Sequence, residues 1–390
     1  MKDSLRRIKD LISGQKDLTS LGIVDIVSNA IGAVFWFYIA SVLGAEQYGK
    51  ISYFIAIAGI ASTISLLGGQ NTLTVYTAKN IKIQSTVYLL TICSGLVASA
   101  VLFFTLGKTE ISLLVISYII LNLAISEILG RKLFSDYAKY VIVNKILTVI
   151  FGIGLYYLIG FEGIIFGIAL ASFPYIIRIY HGFKETSIDF SLLKTKTGFM
   201  ITSYLTNLAE AFNGSLDKII IAPLLGYALL GNYQLGIQFL SILHILPSIV
   251  FKFTLPHDAS GNHNIKLKKL AVISSVIIGV LGIVVSPILI PIVFPKYSAA
   301  IQVIQIVSLS VVPTTVSLMY ASRFLGLEKN KINLFSSGLF LGVQTIGIII
   351  LGKQYGANGA AIAFDISTIV HMIFYIIADR LFGEKPKCAR

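Results

Sequence analysis

The chain has 390 residues, 56% of them hydrophobic and only 13% charged, with a formal net charge of +13. Charged residues make up about a quarter of an ordinary soluble domain, so this composition excludes a water-soluble globular protein. The positive balance does not point to a nucleic-acid binder either, because the basic residues lie in short connections between long apolar runs.

In chain order, "MKDSLRRIKDLISGQKDL" (residues 1–18) is too charged for the apolar core of a signal peptide and is expected to stay on as a cytoplasmic amphipathic arm. Runs long enough to cross a bilayer then begin near Thr19, Ile51, Ser85, Ile111, Tyr140, Gly163, Met200, Tyr233, Leu270, Ala299, Ile332 and Ala360. "STVYLLTICSGLVASAVLFFTL" (85–106) shows their character: helix length, without the strict alternation of a barrel strand. Hydrocarbon offers no partner to a bare backbone, so these runs must be helices. The expected fold is an all-α integral membrane protein with about 12 transmembrane helices.

Lysine and arginine fix the sidedness. With the N-terminus inside, 26 of the 31 basic residues fall in cytoplasmic segments, four (Lys50, Lys108, Lys296, Lys353) fall in outer loops, and Lys218 lies within a span. Both termini are therefore expected in the cytoplasm, which requires an even number of spans. The outer connections are short, the longest inner one holds no acidic pair, phosphate-cradling glycine loop or His/Cys cluster, and the five histidines are scattered, so no enzyme, metal site or cofactor is expected. Cys93 and Cys388 have no CxxC spacing and form no disulfide framework. His244 and His371 stand singly in spans and are expected to hydrogen-bond between helices rather than to ligate metal.

"SVLGAEQYGKISY" (41–53) and "PLLGYALLGNYQLG" (223–236) share a gapless LG-x4-G turn at an offset of 182. The identities include Gly32/Gly214, Ile39/Ile221, Leu43/Leu225, Gly44/Gly226 and Gly49/Gly231. A second echo at an offset of 196 sets "GFEGIIFG" (160–167) against "GANGAAIA" (356–363). Six spans thus match six, and an even number per copy gives both the same orientation in the membrane: two parallel, pseudo-symmetric six-helix lobes with a cavity between them. The expected domains are a 1–18 arm, a 19–182 lobe, a 183–199 cytoplasmic linker, a 200–382 lobe and a 383–390 cytoplasmic tail.

"FWFYIASVLGAEQYGKISYF", "SLDKIIIAPLLGYALLGNYQLG", "IVFPKYSAAIQVIQIVSLS" and "YGANGAAIA" resemble the polysaccharide-exporting (Wzx-like) branch of the multidrug/oligosaccharidyl-lipid/polysaccharide (MOP) flippase superfamily. The resemblance implies a MATE-like fold. It also implies alternating access, with a polyprenyl-linked oligosaccharide as substrate, in the cytoplasmic membrane of a bacterium or archaeon. Two departures stand out. The first two spans lack the arginines often found on the cavity faces of lipid-diphosphate flippases, and nothing indicates the two extra C-terminal spans of the lipid II flippase type.

Polar groups in a span are costly and mark functional faces. The first span carries Asp25, Ser28, Asn29 and Gly32; the seventh carries Asn207, Glu210, Asn213, Gly214 and Asp217. Both sets recur every three or four residues and so share one helical face. The repeat pairs Asp25 with Asn207 and Ser28 with Glu210, so corresponding stripes are expected to face a common cavity. They would serve as substrate contacts or as a coupling site for a proton or sodium ion. Interhelical glue is the competing role for these groups. Lys218, adjacent to Asp217 and so diverging from it by about 100°, is expected either to snorkel or to contact phosphate. Asp365 is isolated in the last span, Lys145 and Arg323 are expected to snorkel to the cytoplasmic interface, and Gly44, Gly49, Gly226 and Gly231 are the expected turn or hinge positions. Two rivals to a saccharide-lipid flippase remain: a cation-coupled multidrug exporter of MATE type, and a membrane glycan polymerase or ligase, which would want a large catalytic outer loop.

The basic bias makes a direct prediction. In a cysteine-free background, single cysteines at Lys50, Lys108 and Lys353 react with an impermeant thiol reagent in intact cells, while cysteines at Lys194 and Lys266 do not; the reverse pattern overturns the orientation.

Overall fold

The computed structural model of the chain describes residues 2–259, 265–327 and 329–382. The 383–390 tail with Cys388, residues 260–264 of the 252–269 basic segment, and the side chains of the 1–18 arm lie outside what is described. Among the described residues the protein is all-helical. The helices are α1 (Lys2–Leu43), α2 (Ala45–Leu66), α3 (Gly69–Ala78), α4 (Gln84–Leu106), α5 (Thr109–Gly130), α6 (Phe134–Ile159), α7 (Phe161–Ser172), α8 (Ile176–Glu185) and α9 (Phe190–Lys194). There follow α10 (Thr197–Leu225), α11 (Tyr227–Leu243), α12 (Ile245–Ala259), α13 (Ile265–Val293), α14 (Ala300–Leu309), α15 (Val311–Gly326), α16 (Asn330–Gly347) and α17 (Lys353–Phe382).

Among the described residues, eight helical stretches are long and apolar enough to cross a membrane, or ten when the bent pairs α11–α12 (46°) and α14–α15 (40°) each count as one span. The expected twelve are not all met by length and composition. One stretch, Lys331–Phe382, takes in both α16 and α17, and α10 is not among the ten because amides and charges dilute its hydropathy. Apolar side chains of α13 at Ile273, Val276, Ile277, Val280, Leu281, Val284 and Ile288 are all exposed. This one-sided band at helical spacing is what a lipid-facing surface requires.

Two compact units are built, each from two stretches of chain. The first contains residues 1–39 and 54–211, the second 40–53 and 212–390. These boundaries run differently from the expected 19–182 and 200–382 lobes: the α1–α2 turn belongs to the second unit, and the N-terminal half of α10 to the first. In the first unit α5 is the central helix, packed on α3, α4 and α7 and burying Ile111, Leu114, Val115, Ile119 and Leu123. The 183–199 segment is tied to this unit, for Ser85 Oγ contacts the Thr186 carbonyl at 2.7 Å and Asp189 N donates to Thr86 Oγ1 at 2.8 Å. In the second unit Ile221, Leu230, Tyr233, Val303, Val307, Ile348, Ala360 and Ala361 form one core.

Both sequence echoes have structural counterparts. Gly44 (φ 84°) and Gly226 (φ 91°) each end a helix in the left-handed region, and Gly160 (φ 83°) and Gly356 (φ 60°) do the same at the second offset. Within the second unit the first turns of α2 and α11 cross backbone to backbone. A Cβ on Gly49 would overlap the Tyr227 carbonyl, and a Cβ on Gly231 would overlap the Ala45 carbonyl, a reciprocal relation at the offset of 182. Tyr297 secures this crossing from the α13–α14 connection: its hydroxyl donates to the Ala40 carbonyl at 2.9 Å and its ring meets Tyr48 edge-on. The second echo repeats the pattern, since Gly163 abuts the Leu155 carbonyl and Gly359 abuts the Leu351 carbonyl.

Gly49→Ala and Gly231→Ala are each expected to lower stability by about 1–3 kcal/mol, because the added methyl must displace a helix backbone. Gly59→Ala, with nothing within 4 Å of the new methyl, should be neutral or stabilising by up to about 1 kcal/mol. Thermal melts of the purified variants compare them; equal melting temperatures would mean the crossing is loose.

Candidate functional site

The polar stripes lie on α1 and α10, helices otherwise built from apolar residues. In the first unit, Asp25 is half-buried and Tyr137 of α6 donates to its Oδ1 at 3.4 Å. Ser28 is buried and spends its hydroxyl on the Asp25 carbonyl of its own helix at 3.1 Å, whereas Asn29 is exposed. Asn207 is buried and accepts from Asn71 Nδ2 of α3 at 3.0 Å, leaving its own Nδ2 without a partner among the described residues. That contact is possible because Gly68 lets the start of α3 lie against the α10 backbone at Met200 and Tyr204. Glu210 is exposed. The burial that made it a coupling candidate is therefore absent, and the buried carboxylates within spans lie elsewhere.

One of them is Asp217, in the second unit with Asn213 and Lys218. Adjacent residues on a helix point apart, yet Lys218 neither snorkels free nor stands alone. Its long stem folds back, so that Nζ lies 3.1 Å from Asp217 Oδ1 and donates to the Gly214 carbonyl at 2.7 Å. Asn213 Oδ1 is buried without a partner among the described residues. Around Asp217 the second unit gathers groups the sequence did not connect. Tyr233 of α11 is fully buried, and its hydroxyl has Asp217, Gln344 of α16 and Asp365 of α17 as electrostatic neighbours, although no well-formed hydrogen bond reaches it. Asp365, expected to stand alone in its span, is 8% exposed, and its Oδ1 has no partner among the described residues. Oxygen atoms from four helices thus surround one buried phenol electrostatically, and oxygen donors are the kind that suit a proton or a hard cation. No group of three or more His, Cys, Asp or Glu residues that could hold a metal occurs among the described residues.

Other residues singled out by the sequence have neighbours of their own. Lys145 turns towards α1, with Nζ 4.0 Å from where a Cβ on Gly32 would stand, so it brings to the first stripe a cation that the first two spans lack. Arg323 is ion-paired with Asp379 at 2.7 Å. The Nε2 atoms of His244 and His371 are buried without hydrogen-bond partners among the described residues, so neither bridges helices through that atom; His371 packs against the rings of Phe340 and Tyr375. Asp365 carried a signal, a lone acid in a span, whereas Asn71, Tyr137, Tyr233 and Gln344 carried none, because only packing selects them from many similar residues.

The buried acids make opposite predictions. Asp365→Asn is expected to leave stability unchanged or raise it by up to about 2 kcal/mol, because it removes a carboxylate with an unsatisfied oxygen. Asp217→Asn should lower stability by about 1 kcal/mol, because Lys218 loses its counter-ion. A melt in which Asp365→Asn is clearly the less stable would mean that a donor reaches that oxygen.

No protein-family model and no curated protein sequence matches the chain. Solved structures do. The lipid II flippase MurJ in an inward closed conformation aligns with a TM-score of 0.76 at 14% identity, over 92% of this chain and 87% of that one. An inward-facing MATE multidrug resistance transporter of the MOP superfamily aligns with a TM-score of 0.64 at 14% identity, over 94% and 97%. The MATE multidrug transporter DinF-BH in complex with R6G gives 0.64 at 14%, over 94% of each chain. At such identities the likeness is one of fold: this is an all-helical, multi-pass membrane protein with the fold shared by MurJ and MATE transporters.

Proposed function

We propose that the chain is a flippase that moves a lipid-linked oligosaccharide precursor across the cytoplasmic membrane by alternating access, as the Wzx-like resemblance implies. The observation that carries the reading is that a fold shared with a lipid II flippase houses ionisable and amide groups in helices otherwise suited to lipid. Groups in such places are retained for a pathway or a coupling step. Asp25, Ser28, Asn29, Asn207, Glu210 and Asn213 are the proposed cavity residues, with Lys145 as the cation available to a phosphate. Asp217 and Asp365, with Gln344 and Tyr233, are the proposed coupling site for a proton or sodium ion, and Lys218 holds Asp217 in the meantime.

A second reading, a cation-coupled multidrug exporter, is favoured by one specific observation: the second unit buries two carboxylates within spans, Asp217 and Asp365, while the first two spans carry no arginine. Liposomes containing the purified protein separate the two. Accelerated transfer of a lipid-linked oligosaccharide between leaflets, with no drug accumulation, supports the flippase; drug movement without lipid transfer supports the exporter. Glu210→Gln and Asp25→Asn are expected to reduce lipid transfer at least 10-fold with little change in melting temperature. If the two residues only join helices, stability falls instead by about 0.6–2 kcal/mol per lost bond and transport falls only as far as folded protein does.

A further inference from the structure

We propose that the first unit carries a binding site for the phosphate of a lipid headgroup, in a cavity where α3 and α5 end and α4 begins. The proposal rests on the cytoplasmic sidedness in the reading above but not on what the chain transports. The cavity measures about 700 Å³, and its floor is formed by Thr77, Gln84 and Gly130, its rim by Lys82, Arg131, Lys132 and Glu185.

Charge accounting sets the sign. Glu127 is 1% exposed; its Oε1 is held by Arg131 at 2.6 Å and its Oε2 by Arg178 at 2.9 Å, and Arg131 also pairs with Glu185. Two arginines and two glutamates thus cancel. Lys82 and Lys132 remain, both exposed at the rim and neither in an ion pair among the described residues. Gln84, 6% exposed, offers its amide to the same space: Nε2 makes only a 3.4 Å bond to Thr77, and Oε1 has no partner among the described residues.

The backbone supplies an independent observation. α5 closes with a Schellman cap, in which Leu133 N bonds Ile128 O and Lys132 N bonds Leu129 O, so Lys132 occupies the left-handed position at φ 59°. α3 closes the same way, with Ile81 N on Tyr76 O, Asn80 N on Thr77 O, and Asn80 at φ 58°. Glycine is the default there, asparagine is tolerated, and a lysine is strained. Lys132 holds this strained position while lining the cavity that Lys82 also borders. Two unbalanced lysines at a membrane face, over a pocket with free amide capacity, recognise a phosphate presented by a lipid.

The test uses full-length protein in phosphatidylcholine nanodiscs doped with either phosphatidylglycerol or a polyprenyl diphosphate, with retained lipid measured by mass spectrometry. Wild type should retain one of the two. Retention of phosphatidylglycerol would identify an acidic membrane phospholipid as the occupant, and retention of the diphosphate would identify a lipid of the substrate class. The double variant Lys82→Gln, Lys132→Gln should retain about 10- to 30-fold less, while Lys353→Gln, an exposed outer lysine, retains as much as wild type. Lys132→Gly supplies a readout that a structural role would not give: it relieves the left-handed strain, so melting temperature holds or rises while retention falls. Undiminished retention by Lys132→Gly and by the double variant overturns the proposal, as does displacement by inorganic phosphate with no preference for either doped lipid. Retention is measured without transport, so loss of lipid with transport intact leaves the flippase reading standing, and retained lipid without transport counts only against that reading.

Discussion

A backbone amide or carbonyl inside a bilayer has no water to turn to, and leaving one unpaired costs several kcal/mol. This chain meets that demand by staying helical almost everywhere and by breaking only where the break can be capped. Its breaks are made by left-handed residues, and Gly44 with Gly226, and Gly160 with Gly356, place four of them at repeat-related positions. Closing a helix so tightly leaves the next one starting within a residue or two, and such close hairpins need glycine at the contact as well as at the turn. Gly49 and Gly231 serve that purpose at one end of the second unit, and Gly359 in its last hairpin, as Gly163 does in the first unit.

The same desolvation sorts the charged groups. Glu127, the most buried carboxylate with partners, is held by two guanidinium groups, so the cost of its burial is offset by hydrogen-bonded charge. Asp217 has one lysine, itself partly committed to a carbonyl. Asp365 has an oxygen with no partner among the described residues. In a protein selected only for stability that order is unfavourable, because a buried unpaired carboxylate is readily replaced by an amide or an alkyl group. A buried carboxylate oxygen without a partner is chemically able to take up a proton or a cation, the role proposed for Asp365 above.

These considerations connect fold and activity without substrate-specific contacts. A lipid-linked saccharide presents phosphate to the protein, and a coupling ion presents positive charge. Groups for both occur here: Lys145 against α1 and the paired lysines at the ends of α3 and α5 in the first unit, and the oxygen cluster around Tyr233 in the second.

What the sequence determined by itself was everything that follows from period, length and charge sign. The medium, the helical class, the internal repeat and the turn glycines are local or near-local properties, and the polar positions on α1 and α10 were legible because a polar residue is rare in an apolar run. The sequence also separated the runs that become α10, α16 and α17, beginning near Met200, Ile332 and Ala360, although by length and composition alone α10 does not count as a span and Lys331–Phe382 passes as one stretch, bent at Gly356. The tertiary structure alone decided which polar groups meet. Lys218 folds onto Asp217, Lys145 reaches Gly32, Glu210 is left exposed, and Asp365 is buried with an oxygen that has no partner among the described residues. Each of those outcomes depends on the rotation of one helix against another. That rotation is set by the packing of many small apolar contacts, none of which leaves a periodic trace in the chain.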